Sequence, residues 1–277
     1  MIINDHFQNF KGYRIPPAQL VIADIPYNVG IDAYGSNPSW YIDGDNKNGE
    51  SDLAGKSFFD TDANFRPAEF MHFCSKMMKK EPKQRGQAPS MIVFCSFEQQ
   101  FYLIELARKY GINNYINLVF RKNFSAQVLK ANMRIVGNAE YGLLLYRNKL
   151  PKFNNGGKMV FNIFDWEADN KDDLYRKIHP TQKPVKLLEK LISIFTDPDD
   201  VVIDPVAGSG STLIAAQNLG RKGYGFEIKK EFYAAANAWI EQNEIVQNEI
   251  RDNGYSGTLM KQQRPMQTQL FTSAVPN

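Results

Sequence analysis

A carboxylate, a proline carbonyl and an aromatic ring stand together in the segment Asp24-Ile25-Pro26-Tyr27, directly after the apolar run 20–23. Asp24 and the carbonyl of Pro26 can both accept hydrogens from an amino group on a flat ring, which favours a tetrahedral nitrogen with an available lone pair. The proline fixes the local backbone, and Tyr27 can stack on the ring. The segment therefore predicts a site that holds an amino group attached to a flat ring. The simpler alternative is a strand that ends in a proline turn.

A second segment with chemical potential, 204–210, follows the apolar run 201–203 and contains a Gly-Ser-Gly turn. A strand, a glycine turn and a helix form the first turn of Rossmann-type nucleotide sites, where backbone N–H groups at the helix start meet an acidic group. No lysine follows the glycines, so the turn is not a phosphate-binding P-loop. The candidate cofactor-binding residues here are Asp204, Pro205, Ala207, Gly208, Ser209 and Gly210.

Glu227 directly follows the strand predicted at 223–226. An acidic residue at this point of a Rossmann-type unit can hold the two hydroxyls of a ribose. Its spacing from the glycine turn favours that role over the alternatives, a helix-start acid or a surface charge.

Strands that alternate with helices must position these two segments. Apolar runs predict strands at 20–23, 91–95, 116–120, 141–146, 201–203 and 223–226. Helical periodicity predicts helices at 67–80, 98–110, 184–195, 211–219 and 230–249. This alternation predicts an α/β protein with a mostly parallel sheet and helices on both faces.

The chain of 277 residues is long enough for one large catalytic domain, which we place at 1–250, followed by a flexible, polar tail at 251–277. Two cysteines without metal-ligand spacing, no apolar run of membrane length and no signal-peptide pattern favour a reduced, cytoplasmic protein without a metal site. The net charge is +3, but residues 28–64 carry seven acidic and two basic residues. That segment is predicted to be a long acidic loop or lid, and the positive remainder is compatible with a polyanionic partner.

Both segments resemble motifs of the β-class S-adenosylmethionine-dependent amino-methyltransferases of DNA. The family pattern Asp/Asn/Ser-Pro-Pro-Tyr/Phe matches 24–27 except at Ile25, and the family's cofactor motif matches 204–210 except that Val206 replaces the usual phenylalanine. The catalytic motif precedes the cofactor motif, which is the circularly permuted β-class order. The resemblance implies S-adenosylmethionine as cofactor, DNA as partner and a Rossmann-like methyltransferase fold with a small target-recognition insert.

Further stretches carry the same resemblance. The segment 179–184, His-Pro-Thr-Gln-Lys-Pro, is similar to a family stretch beside the methionine end of the cofactor, which implies contacts from Thr181 and Lys183. Asp5 falls where the family often has an acid near the adenine of the cofactor, and Glu140 where it often has an acid before a strand. A surface turn is an equally good interpretation of Asp5.

Residues 120–123, Phe-Arg-Lys-Asn, resemble the family's Trp-x-Lys element, and target recognition usually follows it, here at about 124–178. The candidate DNA contacts are Lys122, Asn123, Lys130 and Arg134, with Arg121, Arg147, Lys149 and Lys152 as further basic residues that can meet phosphates. The alternative is that most of them are solvated surface charges.

An aspartate in the first motif position favours adenine-N6 over cytosine-N4 as the target, and the base must be flipped out of the duplex. The alternatives are the cytosine-N4 enzyme, a catalytically inactive DNA-binding relative, and an enzyme that acts on RNA or protein glutamine. A covalent cytosine-C5 mechanism is rejected because Cys74 and Cys95 both follow phenylalanine rather than proline and look like small core residues.

Two partner predictions concern assembly. Gln267, Leu270 and Phe271 resemble the Gln-x-x-Leu-Phe peptides that bind bacterial replication sliding clamps. The alternative is a tail that packs back on the domain through its two apolar residues. Family members are often dimers, so a homodimer is also considered, and the protein is expected to be bacterial or phage-encoded.

Overall fold

The computed structural model describes residues 1–27, 65–123, 127–130, 135–166, 178–179 and 182–253. Its strands are β1 (Ile2–Ile3), β2 (Leu20–Asp24), β3 (Ser90–Cys95), β4 (Asn114–Lys122), β5 (Gln127–Lys130), β6 (Ile135–Gly137), β7 (Ala139–Tyr146), β8 (Ile163–Trp166), β9 (Val201–Asp204) and β10 (Lys222–Phe226). Its helices are α1 (Pro67–Met77), α2 (Phe97–Lys109), α3 (Val185–Phe195), α4 (Ser211–Asn218) and α5 (Lys230–Asn253), with a short 3₁₀ helix at Phe7–Gly12. None of the helices in these ranges is both long and apolar enough to cross a bilayer.

The main sheet has eight strands in the order β1-β10-β9-β2-β3-β7-β4-β8. Within this described sheet every neighbouring pair is parallel except the two pairs made by β7, which runs antiparallel between β3 and β4. The remaining strands, β5 and β6, form a separate antiparallel pair. This arrangement confirms the predicted α/β fold with a mostly parallel sheet. The sequence prediction missed β1, β5, β6, β8 and the 3₁₀ helix.

Strand β2 shows why the sheet is covered on both faces. Its side chains alternate between two apolar cores: Leu20 and Ile22 pack with α3, α4 and α5, while Val21 and Ala23 pack with the 3₁₀ helix, α1 and α2. All four are buried. A strand that is buried on both faces reads as a continuous apolar run, which is the pattern that identified it in the sequence.

Helix α1 begins with Pro67 at its first position, where the missing N–H costs nothing, but it ends at Met77 instead of the predicted residue 80. The prediction was wrong because Met78 is extended and forms an isolated parallel bridge with Ala18. The N–H of Lys79 also donates to the carbonyl of Ala18 at 2.8 Å. These sheet-like bonds draw the chain out of the helix.

The pairing of β2 with β9 positions the two chemical segments. The strands are parallel, with Leu20 opposite Val202 and Val21 opposite Ile203, so their carboxyl ends lie at the same edge of the sheet. From this pair the chain continues to β3 on one side and to β10 on the other. Such a topological switch point is where open α/β sheets bind ligands. Asp24 and Asp204 therefore end neighbouring strands beside one crevice.

Close packing beside the 204–210 turn requires a glycine in β10. A Cβ at Gly225 would lie 2.9 Å from both Ala207 Cβ and Leu213 Cδ1. We expect Gly225→Ala to lower the free energy of unfolding by about 1–3 kcal/mol through overpacking, as measured by urea denaturation. Gly12→Ala is the matched control, because a Cβ there meets nothing within 4 Å. Equal stability of the two variants would contradict the proposed steric constraint.

Candidate active site

Two carboxylates and two ammonium groups meet at the carboxyl edge of the sheet. Lys183 Nζ lies 2.5 Å from Asp24 Oδ2 and 3.3 Å from Glu140 Oε2. Lys122 forms an ion pair with the other oxygen of Glu140, and the hydroxyl of Tyr27 donates to Glu140 Oε2 at 3.1 Å. We call these five residues the catalytic cluster. The antiparallel direction of β7 places Glu140, near its beginning, at the same edge as the end of β2.

The charges of the catalytic cluster depend on one another. Burial raises the pKa of Asp24, and the neighbouring Lys183 ammonium opposes that rise. Burial likewise opposes ionisation of Glu140, but Lys183 and Lys122 together hold its pKa below the ordinary value. Burial also disfavours the charged form of Lys183, yet the two carboxylates outweigh it and raise its pKa. Because each charge requires its neighbours, removing one is expected to leave an uncompensated buried ion.

One acceptor oxygen of the catalytic cluster, on Asp24, is available to a ligand. Asp24 Oδ1 is buried and has no partner at hydrogen-bond geometry within the part of the chain that the structure describes, although the Tyr27 hydroxyl, which donates to Glu140, lies near enough to Asp24 to lower its pKa. A buried acceptor without a partner is costly unless a ligand supplies a donor. The surroundings are aromatic: Lys183 Nζ lies 5.2 Å from the ring centre of Phe94, 5.4 Å from that of Trp166 and 5.7 Å from that of Tyr27. The site therefore offers an oxygen acceptor beside flat apolar walls.

The carbonyl of Pro26 is the second predicted acceptor. Pro26 lies two residues after Asp24, just beyond the end of β2. Its carbonyl accepts a hydrogen bond from Gln99 Nε2 at 2.8 Å. Gln99 was not among the predicted site residues. A carbonyl oxygen has two lone pairs, so this bond leaves room for a second donor.

The 204–210 turn has the predicted shape. Gly208 and Gly210 adopt left-handed conformations with φ of 50° and 76°, and Gly210 caps the start of α4. A Cβ at Gly210 would lie 3.2 Å from Ala236 Cβ and from Ile240 Cδ1 in α5, so the turn also packs closely against that helix. Ser209 is buried, and its hydroxyl accepts from the Ser211 N–H at 3.3 Å.

Glu227 ties the turn to the end of β10. Its carboxylate accepts from the Gly208 N–H at 3.0 Å and from the Lys229 N–H at 2.7 Å. Burial raises its pKa, and the two backbone hydrogen bonds oppose that rise. A carboxylate has about four lone-pair positions, so both oxygens keep capacity for further donors.

Asp204, at the start of the turn, is buried. Burial raises its pKa from the ordinary value of 3.8 to about 7, although hydrogen bonds from Thr212 and from the Val206 N–H oppose the rise. Near neutral pH this carboxyl group therefore keeps its proton in a substantial fraction of molecules.

His179 lies beside the glycine turn, 3.8 Å from the position of a Cβ at Gly208, with its ring against Phe232. Burial, with Lys183 and Lys229 nearby, lowers its pKa to about 4, so it is neutral at pH 7. Thr181 lies outside the described residues. Lys183, which the resemblance placed at the methionine end of the cofactor, has its ammonium in the catalytic cluster.

Asp5 follows β1, which pairs with β10, so it lies at the same edge of the sheet as Glu227. Its carboxylate accepts from the Tyr13 hydroxyl at 2.7 Å and from Asn9 Nδ2 at 2.8 Å, and it thereby fixes the turn that follows β1. Those bonds match the surface-turn interpretation and leave lone pairs available for a ligand.

A family model described as DNA methylase, the N6/N4 methylase family, matches residues 18–238. The chain belongs to this DNA methylase family. Membership confirms the predicted class, an S-adenosylmethionine-dependent amino-methyltransferase of DNA.

Alignments with relatives cover different shares of the methylase chain. The putative methylase YubD of Escherichia coli K12 is 27% identical over 215 residues, which are 78% of this chain and 83% of the relative. The type II methyltransferase M2.DpnII of Streptococcus pneumoniae is 36% identical over 96 residues, which are 35% and 36% of the two chains. The first name is that of a putative methylase and the second that of a type II methyltransferase.

Solved structures confirm the Rossmann-like methyltransferase fold. The M1.HpyAVI–SAM complex matches with a TM-score of 0.59 and 22% identity, over 86% of this chain and 98% of that one. The PvuII cytosine-N4-specific DNA methyltransferase matches with a TM-score of 0.60 and 18% identity, over 94% of both chains.

Several basic residues of the methylase were expected to contact DNA, but their side chains contact other groups of the protein. Lys122 has a side chain that is only 11% exposed and lies in the catalytic cluster. Lys152 is buried and pairs with Asp197 and Asp200. Arg147 donates to the carbonyls of residues 75 and 79. The three cations are therefore engaged by acceptors within the protein.

The other predicted recognition residues divide into two groups. Asn123 is exposed at the end of β4, and Lys130 ends β5 in the separate β5–β6 pair. Arg134, the acidic segment 28–64 and the tail residues Gln267, Leu270 and Phe271 lie outside the described residues. Their predicted roles, like the homodimer, stay predictions.

The burial of both cysteines is consistent with the rejection of a covalent cytosine-C5 mechanism. Burial raises the pKa of Cys95 to about 12 and that of Cys74 well above its ordinary value. A nucleophilic cysteine acts as a thiolate, and neither of these thiols ionises near neutral pH.

Lys183 can be tested by removing its charge. We expect Lys183→Met to lower kcat for DNA methylation by roughly 100-fold, because burial then keeps Asp24 protonated and removes an acceptor. The acidic limb of the kcat–pH profile should also move to higher pH, because the ammonium no longer opposes the raised pKa of Asp24. Lys186→Met, at an exposed position three residues later, is the control. A wild-type profile for Lys183→Met would refute this role.

The raised pKa of Asp204 predicts that the free energy of unfolding depends on pH. Its pKa is higher in the folded than in the unfolded protein, so between these two values the unfolded state releases a proton that the folded state keeps. Stability therefore falls as pH rises through this interval. From pH 5 to pH 7 the wild type should lose about 2 kcal/mol of unfolding free energy relative to Asp204→Asn, measured by urea titration at each pH. A difference between the two proteins that is independent of pH would contradict the raised pKa.

Proposed function

We propose that the methylase is a site-specific DNA adenine-N6 methyltransferase that transfers a methyl group directly to the exocyclic amine of a flipped adenine. The observation that carries this proposal is the buried acceptor Asp24 Oδ1, which lacks a partner among the described residues and belongs to a carboxylate held in place by Lys183. An exocyclic amine supplies the N–H donors that such a site requires.

The cofactor site is proposed along the edge that runs from Asp204 to Glu227. The left-handed glycines let the backbone approach the cofactor, and the remaining lone pairs of Glu227 suit the two ribose hydroxyls. Pro205, Ala207, Ser209 and Gly210 would shape the turn, Asp5 would lie toward the adenine, and Thr181 and Lys183 toward the methionine end. S-adenosylmethionine, when bound, supplies an electrophilic methyl group on a positively charged sulfur.

The chain's own groups prepare the amine for attack. Asp24 and the Pro26 carbonyl accept its two hydrogens and turn the nitrogen lone pair out of conjugation with the ring. Tyr27 lies against the site and can stack on the base. As the N–C bond forms, the nitrogen must lose one proton, and Asp24 Oδ1 is the buried acceptor that can take it. Lys183 keeps Asp24 ionised beforehand.

Adenine is preferred to cytosine because aspartate occupies the first position of the catalytic motif. The printed specificity of the PvuII enzyme, cytosine-N4, makes the cytosine reaction the second candidate within the same fold. Both reactions use the same pair of acceptors, so the identity of the methylated base is the decisive measurement.

For DNA contacts we propose Asn123, Lys130 and Arg134, within the recognition region at about 124–178. We assign base readout to Asn123 because its amide is exposed and the residue follows Lys122 of the catalytic cluster in the chain. Lys122 supports the site indirectly, through its ion pair with Glu140.

The proposed function predicts a specific product. Unmethylated DNA treated with the protein and S-adenosylmethionine, digested to nucleosides and analysed by mass spectrometry, should contain N6-methyladenine. Asp24→Ala should bind the cofactor, measured by calorimetry, and form no methylated base, because it loses the buried carboxylate. N4-methylcytosine would identify the second candidate. Cofactor binding without any methylated DNA base would overturn the proposal and point to RNA, to protein glutamine or to an inactive DNA-binding protein.

A further inference from the structure

The geometry points to Gln99 as a positioning residue that fixes the Pro26 carbonyl for the reaction, an inference that rests on the proposed function. Pro26 is the second of the two acceptors for the target amine, and it lies beyond the last bond of the strand ladder. That bond runs from the Ile25 N–H to the Phe94 carbonyl at 3.3 Å. After it the sheet no longer controls the direction of the backbone, so another group must aim the carbonyl of Pro26.

Gln99 is suited to this task because both ends of its side-chain amide are engaged. Its Oε1 accepts from the Ser96 N–H at 3.0 Å, and its Nε2 donates to the Pro26 carbonyl at 2.8 Å. The reverse orientation of the amide would set oxygen against carbonyl oxygen and N–H against N–H. The hydrogen-bond network therefore determines one orientation, in which the donor faces Pro26.

The backbone at Gln99 is fixed as well. Its N–H donates to the Ser96 hydroxyl at 3.2 Å, which completes a capping box at the start of α2. Ser96 directly follows β3, the strand that pairs with β2 and sets Phe94 opposite Asp24. Gln99 thus links two neighbouring strand ends. It belongs to the capping box that begins α2 after β3, and it donates to Pro26 after β2.

A capping role alone would explain the two bonds to Ser96 but not the bond to Pro26. Glutamate forms the same capping box as glutamine, because only the side-chain oxygen is needed. Ionised glutamate cannot donate to a carbonyl. Gln99→Glu therefore separates the two roles within one nearly isosteric change.

We expect Gln99→Glu to keep the capping box but lose the bond to Pro26, and so to lower the unfolding temperature slightly and kcat for DNA methylation about tenfold, the effect of one lost orienting hydrogen bond. The KM for S-adenosylmethionine should stay within roughly twofold, because Gln99 acts on the target amine through Pro26. Gln99→Met, which lacks the donor without adding a charge, should show the same loss of kcat and a somewhat lower unfolding temperature. Glu98→Gln, an exposed position in the same turn, is the control for a change of charge and should leave kcat unchanged.

Wild-type kcat in Gln99→Glu would overturn the assignment and leave Gln99 as a helix cap. Loss of kcat in Gln99→Glu but not in Gln99→Met would also overturn it, since the added charge would then be responsible. The wild type is assayed in parallel, on whichever base it methylates. A wild type that methylates no DNA base contradicts the proposed function and this inference together, whereas an active wild type with equally active Gln99 variants contradicts only the inference.

Discussion

The ion pair between Asp24 and Lys183 is the constraint around which the catalytic edge is organised. A carboxylate at this depth tends to take up a proton, and an ammonium at this depth tends to lose one. The charge of each group favours the charged form of the other, and Glu140 and Lys122 extend the same compensation across the sheet. Lys183 is buried and Asp24 is partly buried, so breaking the pair leaves a poorly solvated charge without its partner.

This constraint also explains the layout of the fold around the site. The groups of the catalytic cluster come from the ends of β2 and β4, the beginning of β7 and the segment before α3. The reversed direction of β7 is needed, because only an antiparallel strand brings its early residues to the edge where its neighbours end. The glycine turn after β9 completes the crevice from the other side. The capping box of α2 adds Gln99, so a motif that begins a helix also contacts the catalytic segment.

The sequence predicted those parts of the molecule that local chemistry determines. Buried strands such as β2 and β9 were found because they are continuous apolar runs, and the motifs led to Asp24, Gly208 and Gly210. Strand β8 was missed because it has alternate exposed residues and forms a strand only where β4 offers an unpaired edge. The partner of Lys183 lies 159 positions away, so no local pattern could show whether its ammonium faces the cofactor or Asp24. Gln99, in contrast, carried a local signal, the Ser-x-x-Gln spacing of a capping box, which sequence reasoning passed over.

The order of strands in the sheet has a consequence for how the molecule is assembled. β1 pairs with β10, and Asn4 Nδ2 donates to the carbonyl of Glu227, 223 positions later. β2, near the middle of the sheet, likewise pairs with β9, which is synthesised much later. Pairings between such distant segments slow folding, because the entropy of loop closure is lost before the contacts form. During synthesis the half that holds Asp24 therefore emerges with one edge of β2 uncovered, and β9 can cover that edge only after residues 201–204 have left the ribosome. The crevice beside the β2–β9 pair, and after it the pairing of β1 with β10, can therefore form only late in synthesis.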